Sequence, residues 1–323
     1  MVKIAVLGPI PRDTIYTYQN EVIRKYGCVT HPVIALSKLL GEEGEVIPVS
    51  KVHQKDHQGI LDVFSPYTNI NTDYIDSKEN RGTVIELKFI DQNNRLEKQT
   101  ACMKPILPDD IADLDDIDAY VFVPITDFEI SLSTLKYIKE HKKGAIIFDA
   151  HGPTTTMSMI GDRYRKFWVD MDEWLPYIDI LKMNLEESQV CWFEDEYEVE
   201  EMSSYDEEKT DHLDDMAAHV LKKGVSYFYV TLDSRGCVLY YLENDKIIKT
   251  FIKSVFMKDV IDTTGCGDSF AGGLAYGFSK FQEPIKAGQY ANTLGALRTQ
   301  GKTFDVFKNK KETEEIIKYY YNN

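Results

Sequence analysis

The stretch that decides the fold of this chain reads Asp262-Thr263-Thr264-Gly265-Cys266-Gly267-Asp268-Ser269-Phe270-Ala271-Gly272-Gly273. Two glycines and an acid precede a run of small residues, which predicts a loop that turns into a helix. Such a turn gathers backbone N–H groups, a positive helix end and a carboxylate around one point. This combination suits phosphoryl transfer to a hydroxyl, because the N–H groups stabilise the spreading charge and the carboxylate accepts the proton. A glycine-rich helix entry used only for packing is the alternative, which the flanking acids disfavour.

The stretch resembles the motif Asp-Thr-x-Gly-x-Gly-Asp of the ribokinase-like (PfkB) family of carbohydrate and nucleoside kinases. The resemblance implies that Asp268 is the catalytic base and that Gly265, Cys266 and Gly267 supply an anion hole. Cys266 stands where many members have Ala, a mild change because the N–H group matters more than the side chain. Since Asp268 is expected at a helix N-terminus, we expect it to stay ionised at neutral pH.

The composition restricts the classes of function. The 323 residues carry a formal net charge of −16, with 53 acids against 37 bases. Such an acidic chain is a poor candidate for binding nucleic acid or an anionic membrane, although a local nest of N–H groups can still bind a nucleotide. The five cysteines are widely spaced, which indicates neither a disulfide framework nor a zinc site. No secretory apolar region and no run of ~18 apolar residues is present, so we expect a cytoplasmic protein.

Short apolar runs alternate with helical segments along most of the chain. Such runs occupy 119–123, 145–148, 178–183 and 227–231. Strands that alternate with helices cannot pair as simple hairpins, and their connections cross over one face of a sheet. The pattern therefore predicts an α/β fold with a mostly parallel sheet and helices on both of its faces.

One region has a different pattern. The run 83–90 partly alternates, a polar turn follows, and 95–101 runs back, which predicts a hairpin. Strands without intervening helices inside an α/β chain indicate a small β-sheet lid. We therefore expect a single ribokinase-like kinase domain over residues 1–323, with a lid contributed mainly by about 8–20 and 70–104.

The tetrapeptide Asn184-Leu185-Glu186-Glu187 follows an apolar run and matches the Asn-x-x-Glu of the same family. The resemblance implies that Asn184 lies near the donor phosphates and that Glu187 orients water around Mg²⁺. Mg²⁺ suits such an outer-shell site because it keeps several of its waters. Taken alone, the tetrapeptide also fits the start of an ordinary helix with acids at its positive end.

A further motif predicts where ATP binds. Thr231-Leu232-Asp233-Ser234-Arg235-Gly236 resembles the Thr-Leu-Gly-x-x-Gly turn that borders the nucleotide, and Asn292 lies in a segment that fits the helix flanking the adenine. By resemblance the donor-binding residues are Thr231, Asp233, Arg235, Gly236 and Asn292. Asp233 replaces a glycine, and Asp tolerates left-handed backbone better than most residues. An ordinary β-turn is the alternative.

Three residues near the N-terminus form the predicted acceptor site. Asp13 matches the substrate-binding Asp of the family, and a carboxylate accepts hydrogen bonds from paired hydroxyls. Gly27 is the one glycine kept from a Gly-Gly-x-x-x-Asn string, and His31 stands in place of the Asn. Each side chain has a structural alternative, because Asp13 can cap a turn and His31 can begin a helix. The string Asp149-Ala150-His151-Gly152 also lacks the Asn and Arg of many sugar kinases.

These residues favour an ATP- and Mg²⁺-dependent kinase that phosphorylates a hydroxyl of a sugar or nucleoside. The altered acceptor strings leave one rival, a non-catalytic regulator that kept the fold and binds nucleotide or sugar. The intact Asp268 opposes this rival, because a binding protein needs no base. A tract with twelve acids and one lysine over 194–215 is expected to be a solvated insertion. The resemblance also implies a possible homodimer through the lid.

Overall fold

The computed structural model describes residues 1–90, 95–192 and 205–321. Its strands are β1 (Val2–Leu7), β2 (Arg12–Tyr16), β3 (Val22–Tyr26), β4 (Gly44–Lys51), β5 (Ile75–Asp76), β6 (Val84–Phe89), β7 (Arg95–Ala101), β8 (Ala119–Phe122), β9 (Ala145–Asp149), β10 (Thr155–Met157), β11 (Arg163–Arg165), β12 (Ile180–Asn184), β13 (Tyr227–Thr231), β14 (Gly236–Glu243) and β15 (Lys246–Lys253). Its α-helices are α1 (Thr30–Leu40), α2 (Gln54–Phe64), α3 (Leu132–His141), α4 (Met171–Trp174), α5 (Leu185–Gln189), α6 (Leu213–Lys222), α7 (Cys266–Phe281), α8 (Pro284–Arg298) and α9 (Lys310–Tyr321).

A sheet of nine strands forms the centre of the described chain, in the order β15-β14-β13-β12-β9-β8-β1-β4-β5. The strands from β13 to β5 pair in parallel, whereas β14 and β15 add an antiparallel edge. Side chains of β1 alternate between two apolar cores. Ile4 and Val6 pack with residues of α1, α7 and α8, and Ala5 and Leu7 pack with residues of α3 and α6. The predicted α/β architecture is confirmed.

A second, smaller sheet has four strands in the order β3-β2-β6-β7. The strands β2 and β6 run parallel, and each continues into an antiparallel hairpin. The predicted hairpin is confirmed as β6 and β7, and its turn at 91–94 lies outside the described residues. The first segment of this sheet extends beyond the expected 8–20, because β3 adds Val22–Tyr26. That residues 1–323 act as one kinase domain stays a prediction.

Part of the acidic tract at 194–215 does not form the solvated insertion expected for it. Residues 193–204 lie outside the described part of the chain, and α6 already begins at Leu213. Met216 and Val220 of this helix are fully buried in the core. The last residues of the expected insertion therefore belong to a packed helix. Among the described residues, no helix combines the length and the apolar character that crossing a membrane requires.

Candidate active site

The Asp262–Gly273 stretch forms a turn that leads into α7. Gly265 takes a left-handed conformation with φ of +85°, and α7 begins at the next residue. The Asp262 carboxylate accepts a hydrogen bond of 2.9 Å from the Thr264 N–H group, which tightens the turn. The first N–H groups of a helix have no partner within it and lie at its positive end. The Cys266 N–H group already donates to the Thr263 carbonyl at 3.3 Å, so the N–H groups of Gly267 and Asp268 are the ones that can bind an anion at the start of α7.

A buried ionic network supports this turn. Asp262 Oδ2 lies 2.7 Å from Lys25 Nζ and 2.6 Å from Arg298 Nη2. Arg298 Nε in turn donates to His31 Nδ1 over 3.0 Å. Burial, and then the charge of Arg298, hold the pKa of His31 well below its usual range, so the ring is neutral. The network ties β3, α1 and α8 to the turn.

His31 does not occupy the position predicted for it. Its side chain is fully buried, and a Cβ built on Gly265 would come within 2.3 Å of the imidazole ring. The ring therefore lies against the turn, where it accepts from Arg298, and not at the cavity described below. The first turn of α1 directs the side chain under the turn at 262–265, which sequence position alone did not reveal. The helix-entry alternative for His31 is the better description.

A cavity of about 240 Å³ lies between this turn, the small sheet and the carboxyl ends of the central strands. Residues 263–268 form one wall, and Asp13, Ile85 and Leu87 of the small sheet face it. The small sheet also contributes Glu97, and the other lining elements contribute the polar and charged side chains of Asp149, His151, Arg163, Arg165, Lys182, Asn184 and Glu187. Asp268 and Asp13, predicted to act on the same acceptor, thus share one cavity.

The carboxyl group of Asp268 holds its proton more tightly than an ordinary aspartic acid does. Burial, and after it the neighbouring Asp149 carboxylate, raise the pKa of Asp268 to about 7 against the opposing charge of Lys182. Burial and the Asp149 charge therefore act against the expectation that the helix end keeps Asp268 ionised at neutral pH. A pKa near neutrality is well matched to a general base.

Lys182 and Asp149 form a buried ion pair beside the turn. The strands β9 and β12 are parallel neighbours whose register pairs these two residues, and Lys182 Nζ lies 2.9 Å from Asp149 Oδ2. Although burial opposes it, the Asp149 charge raises the pKa of Lys182, which stays cationic. A Cβ built on Gly267 would lie 3.1 Å from the ammonium group. Lys182 was not among the residues predicted from the sequence, where its one signal was a lysine inside an apolar run.

Asn184 and Glu187 cap the short helix α5. Asn184 Oδ1 accepts from the Glu187 N–H group at 2.7 Å, and Glu187 Oε2 accepts from the Asn184 N–H group at 2.8 Å. The second oxygen, Oε1, lies 3.0 Å from His151 Nδ1 and 3.4 Å from Arg165 Nη1. Lys182, His151 and Arg165 hold the pKa of this buried carboxyl well below its usual range despite its desolvation. Both oxygens of Glu187 are therefore engaged by protein donors.

This arrangement bears on the predicted Mg²⁺ site. Among the described residues, no group of three or more His, Cys, Asp or Glu side chains could hold a metal ion. Asn184 and His151 each engage one oxygen of Glu187, which itself lines the cavity. The chain fits a Mg²⁺ ion held by donor phosphates and water, and does not fit an ion caged by protein oxygens.

Two arginines on β11 also reach the cavity and were missed by our sequence analysis. Arg163 binds Glu97 of the small sheet at 2.7 Å and the Ile125 carbonyl of the core at 2.6 Å. Arg165 binds Glu186 at 2.8 Å through Nε. The alternation of charge at 163 and 165 was the only sequence signal. Arg163 thereby ties the small sheet to the core at the rim of the cavity.

The predicted donor turn follows β13. Thr231 is the register partner of Asn184 at the ends of two parallel strands, so these predicted donor residues are neighbours. Asp233 adopts the left-handed backbone expected at the replaced glycine, with φ of +50°, and its carboxylate accepts from the Tyr205 hydroxyl at 3.3 Å. Arg235 donates to a backbone carbonyl of the acidic segment, and Gly236 begins β14. The local geometry survives the Gly-to-Asp change.

Asn292 lies deeper in the protein than a ligand-binding residue usually does. It is 6% exposed, and its amide group donates to the carbonyls of Ile252 and Lys253 at 3.1 and 3.2 Å. Tyr321 of α9 donates to the same Lys253 carbonyl at 2.8 Å. These bonds fix the end of β15 against α8. A contact between Asn292 and adenine stays a prediction.

Asp13 and Gly27 meet at the side of the cavity formed by the small sheet. Asp13 is 4% exposed and lines the cavity from β2. A Cβ built on Gly27 would come within 2.1 Å of Asp13 Oδ2, so only glycine leaves room for the carboxylate here. The predicted substrate role of Gly27 is thus better described as making space for Asp13.

With this geometry in place, comparison with known proteins identifies the family. Residues 66–304 match the model described as pfkB family carbohydrate kinase. The chain belongs to this family. One curated relative, a putative sugar kinase of Pyrococcus horikoshii, is 28% identical over 136 residues, which cover 42% of our PfkB-family chain and 41% of that protein. The match thus spans well under half of the relative's length.

Solved structures share the fold of the PfkB-family chain along nearly its whole length. A pyrophosphate-dependent kinase in the ribokinase family, complexed with a pyrophosphate analog and myo-inositol, has a TM-score of 0.72 at 16% identity, covering 97% of this chain and 99% of that one. A Burkholderia thailandensis nucleoside kinase in complex with inosine has a TM-score of 0.71 at 15% identity. This match covers 99% of this chain and 98% of that one. Arabidopsis thaliana ribokinase complexed with ribose and ATP has a TM-score of 0.71 at 17% identity. This match covers 98% of this chain and 99% of that one. These likenesses confirm the ribokinase-like fold.

The PfkB-family chain thus brings together only part of its predicted site. Residues 265–268, Asp13, Asn184 and Glu187 line the cavity, whereas His31 and Gly27 do not. The turn at 231–236 adjoins Asn184 through the strand register. Physical proximity therefore links the predicted base, acceptor carboxylate and donor edge.

Proposed function

We propose that this PfkB-family chain transfers the γ-phosphoryl group of ATP to a hydroxyl of a sugar or nucleoside. The observation that carries the proposal is the position of Asp268, at the anion-binding end of α7 and in the same cavity as Asp13. A pKa of about 7 gives this acid the proton affinity that a base for an alcohol needs. Lys182 lies beside the N–H groups of the turn and adds a fixed positive charge.

In this reaction the acceptor oxygen forms a bond to the γ-phosphorus while the bond to the departing ADP oxygen breaks. The hydroxyl proton passes to the Asp268 carboxylate. The N–H groups of Gly267 and Asp268 and the Lys182 ammonium stabilise the charge that spreads over the phosphoryl oxygens. Asp13 orients the acceptor by accepting from its other hydroxyls, and the small sheet limits the entry of water. Mg²⁺, carried by the ATP phosphates, would neutralise part of their charge.

The direct test is a purified-protein screen. ATP and pyrophosphate are each supplied as donor with sugars, polyols and nucleosides, with and without Mg²⁺, and phosphorylated product is detected by mass. We expect product with ATP and Mg²⁺ from at least one acceptor. Product formed only with pyrophosphate would show that pyrophosphate, and not ATP, is the donor. Ligand binding without any product would favour the regulator instead, because that rival keeps the cavity without the chemistry. The cytoplasmic location and the homodimer stay predictions.

Asp13→Ala should lower kcat/KM for the acceptor by about tenfold or more, with little change in the KM for ATP. A carboxylate removed from a closed site leaves acceptor hydroxyls unpaired, at roughly 1.5–3 kcal/mol. Steady-state kinetics with each substrate varied in turn measure the effect. Asp245→Asn, in the exposed turn between β14 and β15, is the control. An equal loss for ATP and acceptor would move Asp13 out of the acceptor site.

Asp149→Asn should shift the pH dependence of kcat/KM to lower pH. Asp268 acts as a base only when deprotonated, so the rate should rise as the pH passes about 7 in the parent protein. Removing the Asp149 charge eliminates a repulsion and releases Lys182 from its partner, and both changes favour ionised Asp268. A profile over about pH 5–9 tests this. If kcat/KM of the variant still rises at the same pH as in the parent protein, the ionisation of Asp268 does not control that rise.

A further inference from the structure

A line of hydrogen bonds runs from the small sheet to helix α5 along the wall of the cavity. Arg163 Nη1 binds the Glu97 carboxylate of β7 at 2.7 Å, and Arg163 Nη2 lies 3.1 Å from His151 Nε2. His151 Nδ1 in turn lies 3.0 Å from Glu187 Oε1 of α5. We call Glu97, Arg163, His151 and Glu187 the relay, and all four residues line the cavity. The relay thus joins the sheet that carries Asp13 to the helix at the donor edge.

The histidine bridges its two neighbours in one defined tautomer. A guanidinium group has no acceptor, so Arg163 donates and His151 Nε2 accepts. Burial, and then the charge of Arg165, lower the pKa of His151, so its ring is neutral and carries one proton. That proton is therefore on Nδ1, which donates to Glu187. Arg165 Nη1, 3.3 Å from the same nitrogen, donates instead to the Thr155 hydroxyl at 3.1 Å.

The hairpin of β10 and β11 carries Arg163 and is held at both of its ends. At its tip, the Gln99 N–H group of β7 donates to the Gly161 carbonyl at 2.8 Å. At its base, the Thr155 hydroxyl donates to the His151 carbonyl at 2.7 Å. The tip therefore follows the small sheet, while the base holds the backbone of His151. A shift of the small sheet acts on Arg163 and, through it, on the His151 ring.

At the other end of the relay, Glu187 fixes the backbone of the donor edge. Its Oε2 accepts from the Asn184 N–H group at 2.8 Å, while Oε1 accepts from His151. The carboxylate is fully buried, so water cannot replace a hydrogen-bond donor that is lost. Asn184 is the register partner of Thr231 at the ends of β12 and β13. The orientation of the Glu187 carboxylate therefore affects the segment predicted to hold the phosphoryl donor.

We propose that His151 is a positioning residue, which transmits the placement of the small sheet to Glu187 and so to the donor edge. The inference rests on the proposed function in one respect, the assignment of the phosphoryl donor to this edge. Docking of the small sheet over the acceptor then favours the donor-binding form of α5. Binding of the phosphoryl donor favours the docked sheet to the same extent, because coupling between two sites is reciprocal.

The relay is tested first without any substrate, by amide hydrogen exchange of the whole protein. Glu97→Ala removes the small-sheet end of the relay and should speed exchange of the α5 amides by about threefold or more. The same change in a His151→Phe background should leave α5 exchange where His151→Phe alone puts it, because the ring remains but the link is lost. Glu86→Ala, at an exposed position of β6, is the matched control and should not affect α5. No response of α5 to Glu97→Ala, or an equal response in both backgrounds, would overturn the inference.

A conservative variant separates positioning by hydrogen bonds from simple packing of a ring. His151→Gln keeps one acceptor and one hydrogen-bond donor, so it should retain most of the α5 response to Glu97→Ala, which His151→Phe should lose. His219→Phe is the control for the loss of a histidine–carboxylate bond. The His219 side chain is 29% exposed against 31% for His151, and its ring binds Asp172 at 2.6 Å. A lost response in His219→Phe, or in His151→Gln as fully as in His151→Phe, would contradict the relay.

Kinetics then distinguish this inference from the proposed function. In an active kinase, Glu97→Ala should raise the KM for ATP by about threefold or more, and this increase should disappear in the His151→Phe background. An exchange response without phosphoryl transfer would support the relay while the proposed function fails. An active kinase whose α5 exchange and KM for ATP both ignore Glu97→Ala would overturn the relay and leave the kinase proposal standing.

Discussion

Asp268→Asn should lower kcat by about 10²–10⁴-fold while ATP and acceptor still bind with nearly normal affinity. The substitution keeps the size and polarity of the side chain at the end of the anion-binding turn, but an amide cannot accept the hydroxyl proton. Single-turnover kinetics measure the loss, and calorimetry measures the two affinities. Asp245→Asn changes the same functional group at an exposed turn and should be fully active. Near-normal turnover by Asp268→Asn would remove this residue from the mechanism.

The same variant should be more stable than the parent protein at alkaline pH. Asp268 has a pKa of about 7 in the native state, against about 3.9 for an unperturbed Asp. The native state therefore holds the proton more tightly, so the stability contributed by protonated Asp268 is present below about pH 4 and is lost as the pH rises toward 7. An amide does not titrate, so Asp268→Asn avoids this loss. A melting temperature above that of the parent at about pH 8 would exclude misfolding as the cause of inactivity, and a lower one would contradict the raised pKa.

Gly265→Ala should both destabilise the protein and abolish most of its activity. An L residue with φ of +85° costs roughly 1–2 kcal/mol of unfolding free energy. The added Cβ would also overlap the buried His31 ring, and such overpacking costs about 1–3 kcal/mol. The ring is fixed by Arg298, so relief would have to come from the turn and would displace its N–H groups. Denaturant unfolding and kcat together measure the effect.

Gly295→Ala is the matched control for the Gly265→Ala variant. Gly295 lies inside α8, and a Cβ there would come no closer than 3.4 Å to the Cys266 carbonyl oxygen. Alanine is favoured over glycine in a helix, so this variant should gain roughly 0.5–1 kcal/mol. The double variant Gly265→Ala, His31→Ala should recover part of the lost stability, because the overlap disappears and only the backbone strain remains. A fully stable Gly265→Ala would contradict the packing described for His31.

Much of the fold was predictable because it depends on local patterns. Apolar runs separated by helical segments predicted the parallel sheet, and the alternation at 83–90 predicted the hairpin of the small sheet. The strand β3 was missed, since its residues alternate without a clear apolar face. Asp233 kept the left-handed turn that its side-chain type allows. Periodicity and turn chemistry act over a few residues, so the sequence shows them directly.

The candidate site was predictable only where its residues lie together in the chain. The run 265–268 forms one turn, and Asn184 and Glu187 cap one helix, as their spacing implied. Lys182 could not be assigned, because its role depends on the register of β12 against β9. His31 was placed at the acceptor by its alignment, but the direction of a side chain from the first turn of a helix depends on what packs around it. Arg163 depends on contacts with two distant segments.

The sequence by itself determined the α/β class, the glycine turn that leads into α7 and the acid that follows it, since these follow from periodicity, glycine and a short motif. Only the tertiary structure decided how those groups behave. Burial beside Asp149 sets the proton affinity of Asp268, and the sheet register brings Lys182 to the turn. The small sheet and residues 263–268 enclose the cavity, although long stretches of sequence separate these elements. Burial and long-range contact are properties of the folded chain, so no local pattern could reveal them.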